Sequence, residues 1–335
     1  MDNMDGSYTY PDHPTDKDRQ GVLRNKFGLT RHSQLRPIEY RATDKRLREL
    51  NESLGPKGKL DAAHLKAIHG HIFQDVYEWA GHTRNETPMV DGMRVDPVGH
   101  FSKGGSAFLH GSKIDLGLHE ALRPLAGKDA LRNLTTEQFA EKAGRVLGEL
   151  NYVHPFREGN GRAQEAFIKE AGRHAGYEVD MSGITRERMI AASIAHSNDP
   201  DSRAMVDLIK DSIDPARRAA LRDANRAIGG VGKDPHDYDT KTAQPGQTTS
   251  GRIFFATADA VTVSDGKSLV VHSRTDFPAE LAKNGEAVQV QSRGEFGRPP
   301  GPEKRHELQQ VEAERRETPA PEQIRTKGSG EDYER

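Results

Sequence analysis

The sequence predicts a mainly helical domain followed by a small β domain, and three patterns carry this prediction. Apolar residues cluster between about 20 and 215 and recur there at helical spacing. Proline and glycine interrupt short extended pieces over residues 87–105, which favours a β-hairpin flap. Over residues 252–293, apolar and polar residues alternate around Asp-Gly and Asn-Gly turns, which indicates four or so strands.

The first helical pattern follows Asp61, a predicted N-cap, and continues as one long helix through Ala80 to a stop at Gly81. Trp79 lies on its apolar face and is expected in the core. Three histidines lie on the same helix at spacings of five and two, which do not place a pair on one face. We therefore expect surface histidines and no metal site for His64, His69 and His71.

Thr135 and Gln138 have the spacing of a capping box and predict the start of a second helix, which leads into residues 151–154. Another helix is predicted after Gly161, ending near Gly176. Shorter helical patterns follow, and they cover residues 187–195, 205–213 and 216–227.

Composition divides the chain into five predicted segments. They are a flexible N-terminus (1–20), the helical domain (21–220), a linker rich in Gly, Thr, Lys and Pro (221–250), the small β domain (251–297) and a disordered charged tail (298–335).

Charge and cysteine content exclude several classes of protein. The 49 basic and 51 acidic residues give a net charge of -2, so no global field draws the chain to nucleic acid or anionic lipid. The absence of cysteine rules out disulfides, thiolate metal sites and a cysteine nucleophile, and it fits a reducing cytoplasm. Since no run of about 18 apolar residues occurs, we expect no membrane span or cleaved leader. Translocation into a recipient or host cell would need another signal.

The string HPFREGNGR, residues 154–162, lies between two predicted helices and carries residue types suited to phosphate chemistry. The imidazole of His154 is matched to removing a proton from a hydroxyl near neutral pH. Glu158 can ligate Mg2+, which takes one or two protein carboxylates and bridges phosphate oxygens. Backbone N-H groups and a guanidinium at the start of the next helix would hold the phosphates, and these belong to Gly159, Asn160, Gly161 and Arg162. Each element alone could be an ordinary helix end, ion pair or loop, but the whole ordered string favours one site.

The same string resembles the motif of the Fic family. Four further strings are similar to the Fic domains of conjugation-linked toxins and secreted bacterial effectors: LRNKFGLT (23–30), FQDVYEWAGHTR (73–84), FSKGG (101–105) and ELN (149–151). The resemblance covers about residues 10–220. It implies a Fic-type helical bundle with a β-hairpin flap over the active-site loop.

The resemblance also implies an activity. A protein adenylyltransferase moves AMP from ATP to a Tyr, Thr or Ser hydroxyl of a target protein and releases pyrophosphate, with Mg2+ as cofactor. In this sequence His154 would be the base and Glu158 the metal ligand, while Phe156 would anchor the loop in the core. In the related Doc branch a lysine stands at the position of Gly161, so Gly161 favours adenylyl over phosphoryl transfer.

For the flap, the resemblance implies docking of the target by strand pairing. The docking residues would be Ser102, Lys103, Gly104 and Gly105, and two of them, Lys103 and Gly104, would also border the nucleotide.

One residue departs from the family motif, which reads GNGRxxR where this chain has Glu165. The missing arginine is expected to hold the γ-phosphate, so a carboxylate there could weaken ATP binding. Alternatively, Glu165 points away or is bridged by Mg2+ or an arginine elsewhere. Two other interpretations stay open. The chain would be a Fic-fold binding or adaptor module, or a transferase that uses another donor.

Partners follow from the same resemblance. The self-inhibitory string [ST]xxxE[GN] does not occur in the sequence, so either a small antitoxin supplies the inhibitory helix or the loss of the arginine makes inhibition unnecessary. The β domain resembles KfrB-like domains of plasmid-encoded proteins and OB-like barrels. It would bind a secretion or plasmid-machinery partner or nucleic acid, or serve as a spacer or dimer contact.

Overall fold

Helices dominate the computed structural model, which describes residues 8–103, 106–127, 129–257, 259–278 and 284–297. Eight α-helices lie in these ranges: α1 His32–Asn51, α2 Ala62–Phe73, α3 Ile114–Leu122, α4 Thr136–Val153, α5 Asn160–Ala175, α6 Arg186–Asn198, α7 Ala204–Ile213 and α8 Pro215–Gly230. None of these described helices combines the length and apolar character that crossing a bilayer demands.

The described strands form two short hairpins and one sheet. The hairpins pair β1 Met89–Val90 with β2 Met93–Arg94, and β3 Ser102–Lys103 with β4 Ser106–Ala107. Five strands form the sheet in the order β5-β8-β7-β6-β9, with only β5 and β8 parallel: β5 Thr240–Thr242, β6 Thr248–Ala256, β7 Ala260–Ser264, β8 Leu269–Ser273 and β9 Ala287–Gln291. The predicted fold class, mainly helical with a flap and a small β unit, is confirmed.

Helix α4 lies at the centre of the helical part and delivers the chain to the HPFREGNGR loop. Its N-terminus carries the predicted capping box, in which Thr135 accepts from the backbone of Gln138 and the Gln138 side chain accepts in return. Phe139, Val146 and Leu150 are buried on one face, as the helical spacing requires. Because α4 packs against α3, α5, α6 and α7, the end of α4 is held on several sides.

Helix α2 begins as predicted, since Asp61 accepts from the backbone of His64, but it ends at Phe73 and not near Gly81. The prediction of one long helix was wrong. The chain after Phe73 forms turns, and there the carbonyl of Val76 accepts from the backbone N-H of Lys26. Tyr77 and Trp79 lie two residues apart, and both are fully buried. On one helix, two residues at that spacing would not share a single face. Trp79 is in the core, as expected.

The N-terminal segment contributes a helix that the sequence analysis did not assign. Helix α1 carries a proline at position 37 and a mostly polar surface, so its pattern is weak. Before it, Tyr8 is buried with its ring edge-on to Trp79, and Thr9 bridges to Leu23. Part of the segment predicted as a flexible N-terminus, residues 8–20, is therefore packed on the helical domain.

Residues 221–250, for which a linker was predicted, contain most of α8, a short 3-10 helix Pro235–Asp237, strand β5 and the start of β6. A buried polar cluster joins these elements to α7. Asp211 is fully buried, its carboxylate accepts from the Thr242 hydroxyl, and it lies 3.4 Å from the guanidinium of Arg217. Apolar contacts of Leu221 and Ala224 with strand residues continue this packing. The predicted tail, 298–335, lies outside the described residues.

Candidate active site

The loop between α4 and α5 is held by two residues in the left-handed region. His154 ends α4 with φ 46°, and Gly159 precedes α5 with φ 81°. A Cβ at Gly159 would lie 2.1 Å from the ring of Phe73, so only glycine fits there. The Asn160 side chain accepts from the N-H of Phe156 at 2.9 Å and donates to its carbonyl at 2.8 Å. The side chain of Asn160 therefore braces the loop from inside, which leaves the backbone to face a ligand.

Buried His69 supports this loop from α2. Its ring stacks on that of Phe156, with centroids 3.8 Å apart and planes inclined by 11°. Nδ1 accepts from the N-H of Gly81 at 2.9 Å, so Nε2 carries the hydrogen and donates to the carbonyl of Glu158 at 3.0 Å. Burial lowers the pKa of His69 to about 3, so the ring is neutral.

The expectation of surface histidines on α2 was wrong for two of the three. His64 and His69 are both buried, because each ring finds polar partners inside the fold: His64 bonds to the carbonyl of Pro56, and His69 to the distant carbonyl of Glu158. The signal in the sequence was a polar residue on an apolar helix face. The bond from His69 to the Glu158 carbonyl fixes the position of the loop backbone at that residue. Phe156, expected as an anchor, is fully buried beside it.

Arg84 is a second residue whose role the sequence did not indicate. It is fully buried, and its guanidinium donates to the carbonyls of His154 at 2.9 Å and Val98 at 2.9 Å and to that of Leu109. Its own N-H bonds to the carbonyl of Pro155 at 2.7 Å. Burial lowers the pKa of Arg84 to about 10, which leaves it charged at neutral pH. One arginine therefore ties the base of the flap to the end of α4.

The imidazole of His154 lies under the flap. It stacks on Phe108, with centroids 3.8 Å apart and planes inclined by 11°. Burial, together with the charges of Lys103 and Arg84, lowers the pKa of His154 to about 4. The ring is therefore a neutral base at physiological pH.

Glu158 is the acidic residue of the loop. One of its oxygens accepts from the N-H of Gly159 at 2.9 Å, and the other lies 3.6 Å from the Lys103 ammonium. Although burial favours the neutral form, Lys103, the Gly159 bond and Arg162 hold the pKa of Glu158 below its usual value. It is an ionised carboxylate at the mouth of the loop, of the kind that Mg2+ binds. Among the described residues, no group of three or more His, Cys, Asp or Glu side chains is placed to hold a metal.

Arg162 is anchored on α1. Its guanidinium lies 2.5 Å from a carboxylate oxygen of Glu39 and 3.1 Å from the Thr43 hydroxyl, and it covers the ring of Phe73. The other oxygen of Glu39 accepts from the Tyr77 hydroxyl at 2.5 Å. The unassigned helix α1 thus orients the motif arginine at the start of α5.

The flap residues Ser102 and Lys103 are exposed and pair with strand β4. Gly104 and Gly105, expected to dock the target, lie outside the described residues. Lys103 links the flap to the loop through its contact with Glu158.

Two cavities meet at this site. The first, of about 360 Å³, has mainly apolar walls and is lined by Lys103, Phe108, Asn151, His154, Ile190 and Ile194 among others. The second, of about 240 Å³, is lined among others by Asn151, Gly161, Glu165, Arg186, Met189 and His236. Since Asn151 and Met189 line both, the cavities adjoin along α4 and α6.

Comparison with known proteins identifies the family of this chain. The model of the Fic/DOC family matches residues 59–170. A probable protein adenylyltransferase, y4lH, of Sinorhizobium fredii is 38% identical over 174 residues, which are 52% of this chain and 82% of that relative. The chain belongs to the Fic/DOC family.

Other Fic relatives are longer than this chain. A protein adenylyltransferase of Bartonella henselae is 29% identical over 279 residues, and the match covers 82% of this chain but 50% of that relative. The protein adenylyltransferase VbhT of Bartonella schoenbuchensis is 38% identical over 174 residues, and the match covers 52% of this chain and 34% of VbhT. The chain thus spans half or less of these two curated relatives.

Solved structures give the same fold. The type IV secretion system effector protein BepA superposes with a TM-score of 0.74 at 28% identity, covering 87% of this chain and 97% of BepA. BepC of Bartonella tribocorum, solved with bound AMPPNP, superposes with a TM-score of 0.57 at 31% identity, covering 64% of this chain and 99% of BepC. The match to BepA extends beyond the residues that the family model covers.

Within the Fic motif, the structure pairs Glu165 with a lysine on the same helix. Its carboxylate lies 2.8 Å from the ammonium of Lys169, one turn further along α5, and the side chain is 43% exposed. The two charges therefore offset each other, which reduces the repulsion that an unpaired carboxylate would exert on a phosphate.

Proposed function

We propose that this Fic chain is a protein adenylyltransferase that moves AMP from ATP to a hydroxyl of a target protein. The observation that carries the proposal is the neutral imidazole of His154, which lies between an apolar cavity and the start of α5. A base, a nucleoside-sized space and a phosphate-binding helix end meet there.

We expect the nucleotide to bind along these features. The purine and ribose occupy the first cavity, whose walls include Phe108, Ile190 and Ile194. The phosphates lie on the backbone N-H groups of Asn160 and Gly161, with the charge of Arg162 behind them. The N-H of Gly159, which the sequence analysis also assigned to the phosphates, donates instead to the Glu158 carboxylate. That BepC was solved with AMPPNP supports nucleotide binding by this fold.

In the reaction, the target hydroxyl loses its proton to His154 as its oxygen bonds to the α-phosphorus of ATP. The bond between the α-phosphorus and the bridging oxygen breaks, and its electron pair leaves with pyrophosphate. His154 then carries the proton until it returns it to solvent. The stack on Phe108 and the Arg84 bond to the His154 carbonyl hold the imidazole in place.

Mg2+ would be held by Glu158, whose ionised carboxylate fits the oxygen donors that this cation takes. Bound there, the cation would supply charge neutralisation of the phosphates. Lys103, which lies beside Glu158, balances the carboxylate's charge from the flap.

The target would align along the exposed flap strand, with Ser102, Lys103, Gly104 and Gly105 as the docking segment. A toxin or effector role agrees with the type IV secretion description of BepA. A small antitoxin, and a secretion or plasmid-machinery partner at the C-terminal sheet, belong to the same proposal. So does work in the cytoplasm of the producing or a recipient cell.

The experiment that tests the proposal is incubation of the full chain with Mg2+ and α-labelled ATP, with GTP and CTP in parallel. We expect label on the chain itself or on lysate proteins from ATP, and its loss when a chelator removes the divalent cation. Calorimetry with each nucleotide accompanies the assay. If no nucleotide binds or transfers label, the chain is not a transferase, and the hypothesis of a binding module is favoured.

The low pKa of His154 predicts an unusual pH profile. Because the base must be neutral and its pKa is about 4, kcat/KM should stay flat across about pH 5.5 to 8 and fall only below that range. An exposed histidine would instead show half-activity near its ordinary value of about 6.5. Initial rates at target concentrations well below KM, with far-UV circular dichroism at each pH as the stability control, make the comparison. An acid limb centred near the ordinary value would contradict a buried base.

A further inference from the structure

The second cavity lies where the far end of a nucleotide would reach. It adjoins the first cavity at Asn151 and Met189, and Gly161 at the start of α5 forms part of its wall. A nucleotide with its nucleoside in the first cavity and its phosphates on the α5 N-terminus would extend its terminal phosphates into this space. This step rests on the proposed function.

Two residues whose side chains carry nitrogen donors line the second cavity. Arg186 is the first residue of α6, and His236 comes from the short 3-10 helix before the sheet. The guanidinium of Arg186 lies 2.8 Å from Asp237, in a pair whose side chains are 63% and 62% exposed. Such exposed pairs contribute little free energy, so a phosphate can take over the guanidinium.

The ring of His236 is oriented by α6. Its Nδ1 accepts from the N-H of Arg186 at 3.1 Å, so Nε2 carries the hydrogen and acts as a donor. Nearby, the Thr185 hydroxyl donates to the carbonyl of Tyr238 at 2.6 Å, which pins the 3-10 helix to the start of α6. A residue that follows the helical domain therefore completes a cavity beside the motif.

Among the described residues that line this cavity, Glu165 is the one with a carboxylate, and Lys169 on α5 offsets its charge. When a phosphate takes the place of Asp237 on Arg186, the guanidinium and the histidine donor together bind an anion.

We propose that Arg186 and His236 form a subsite for the terminal phosphates of the nucleotide donor. In this chain they would replace the arginine that the family motif carries where Glu165 stands. The ligand class is the β,γ-diphosphate end of a nucleoside triphosphate.

Calorimetry of the full chain with Mg2+ and ATP, ADP or AMP tests this subsite. We expect Arg186→Ala to weaken ATP binding about tenfold and leave AMP binding unchanged, as loss of one charge-assisted contact predicts. His236→Ala should act in the same direction. The matched control is Arg226→Ala on α8, since Arg226 is also an exposed arginine paired with an aspartate and lies outside the cavity. It should change neither affinity.

A rescue variant sharpens the test. Glu165→Arg restores the family arginine, so it should recover ATP affinity in the Arg186→Ala background. Equal ATP affinity of wild type and Arg186→Ala, or equal losses for ATP and AMP, would overturn the subsite. So would a wild type that binds AMP no less tightly than ATP.

The subsite and the proposed function fail separately. Label transfer by wild type with an unchanged KM for ATP in Arg186→Ala removes the subsite and keeps the transferase. Binding of ATP that depends on Arg186 without any label transfer keeps the subsite and removes the transferase.

Discussion

His154→Asn lowers the rate of AMP transfer by about 10² to 10⁴, because an amide cannot take the proton that the imidazole takes. Asparagine is chosen because His154 has φ 46°, a region that asparagine tolerates and that strains alanine. The variant should therefore keep its fold. Initial rates of label transfer from α-labelled ATP measure the effect.

The control is His174→Asn at the exposed end of α5, which should transfer at the wild-type rate. Calorimetry should show that His154→Asn binds ATP about as tightly as wild type, since the phosphates lie on other groups. A variant at residue 154 that transfers nearly as fast as the control would contradict the assignment of the base.

Arg84→Ala should lower the free energy of unfolding by about 3 kcal/mol or more, since it strips donors from several buried carbonyl oxygens at once. Arg84→Lys should recover little, because an ammonium cannot reach carbonyls on both the flap base and the α4 end as the planar fork does. Denaturant unfolding followed by circular dichroism measures both variants.

Arg48→Ala on α1 is the control for this series. Arg48 pairs with Asp44 on the exposed surface, so its loss should cost no more than about 0.5 kcal/mol. If Arg84→Ala were no less stable than this control, the buried guanidinium of Arg84 would not be the group that joins the flap to α4.

Local chemistry made part of the fold and much of the site predictable from the sequence. The capping box of α4, the glycines of the loop and the Asp265-Gly266 turn between β7 and β8 are set by neighbours within a few residues, and the structure contains each of them. The motif is itself one short string, so its residues lie together whatever the rest of the chain does.

The supporting residues could not be predicted because their partners are distant in sequence. His69 bonds to Glu158, and Arg84 to His154, across seventy residues or more. Glu39 reaches Arg162 from a helix that carries a proline and a weak apolar pattern. These contacts depend on how the elements pack.

Glu165 is the reverse case. The departure from the family motif is visible in the sequence, but its effect depends on partners that the structure shows. The sequence places a carboxylate where the family has an arginine. The structure adds the Lys169 partner on α5 and an arginine, Arg186, in the adjoining cavity. The charge of Glu165 is therefore offset by Lys169, a residue outside the motif.

The most direct test of adenylyl transfer compares α-labelled with γ-labelled ATP on the full chain in the presence of Mg2+, with His154→Asn alongside. The account predicts that label reaches protein from the α position only, that the intact mass of the labelled protein rises by one adenylyl group, and that His154→Asn abolishes both. Label from the γ position alone, with a mass gain of one phosphate, would contradict it.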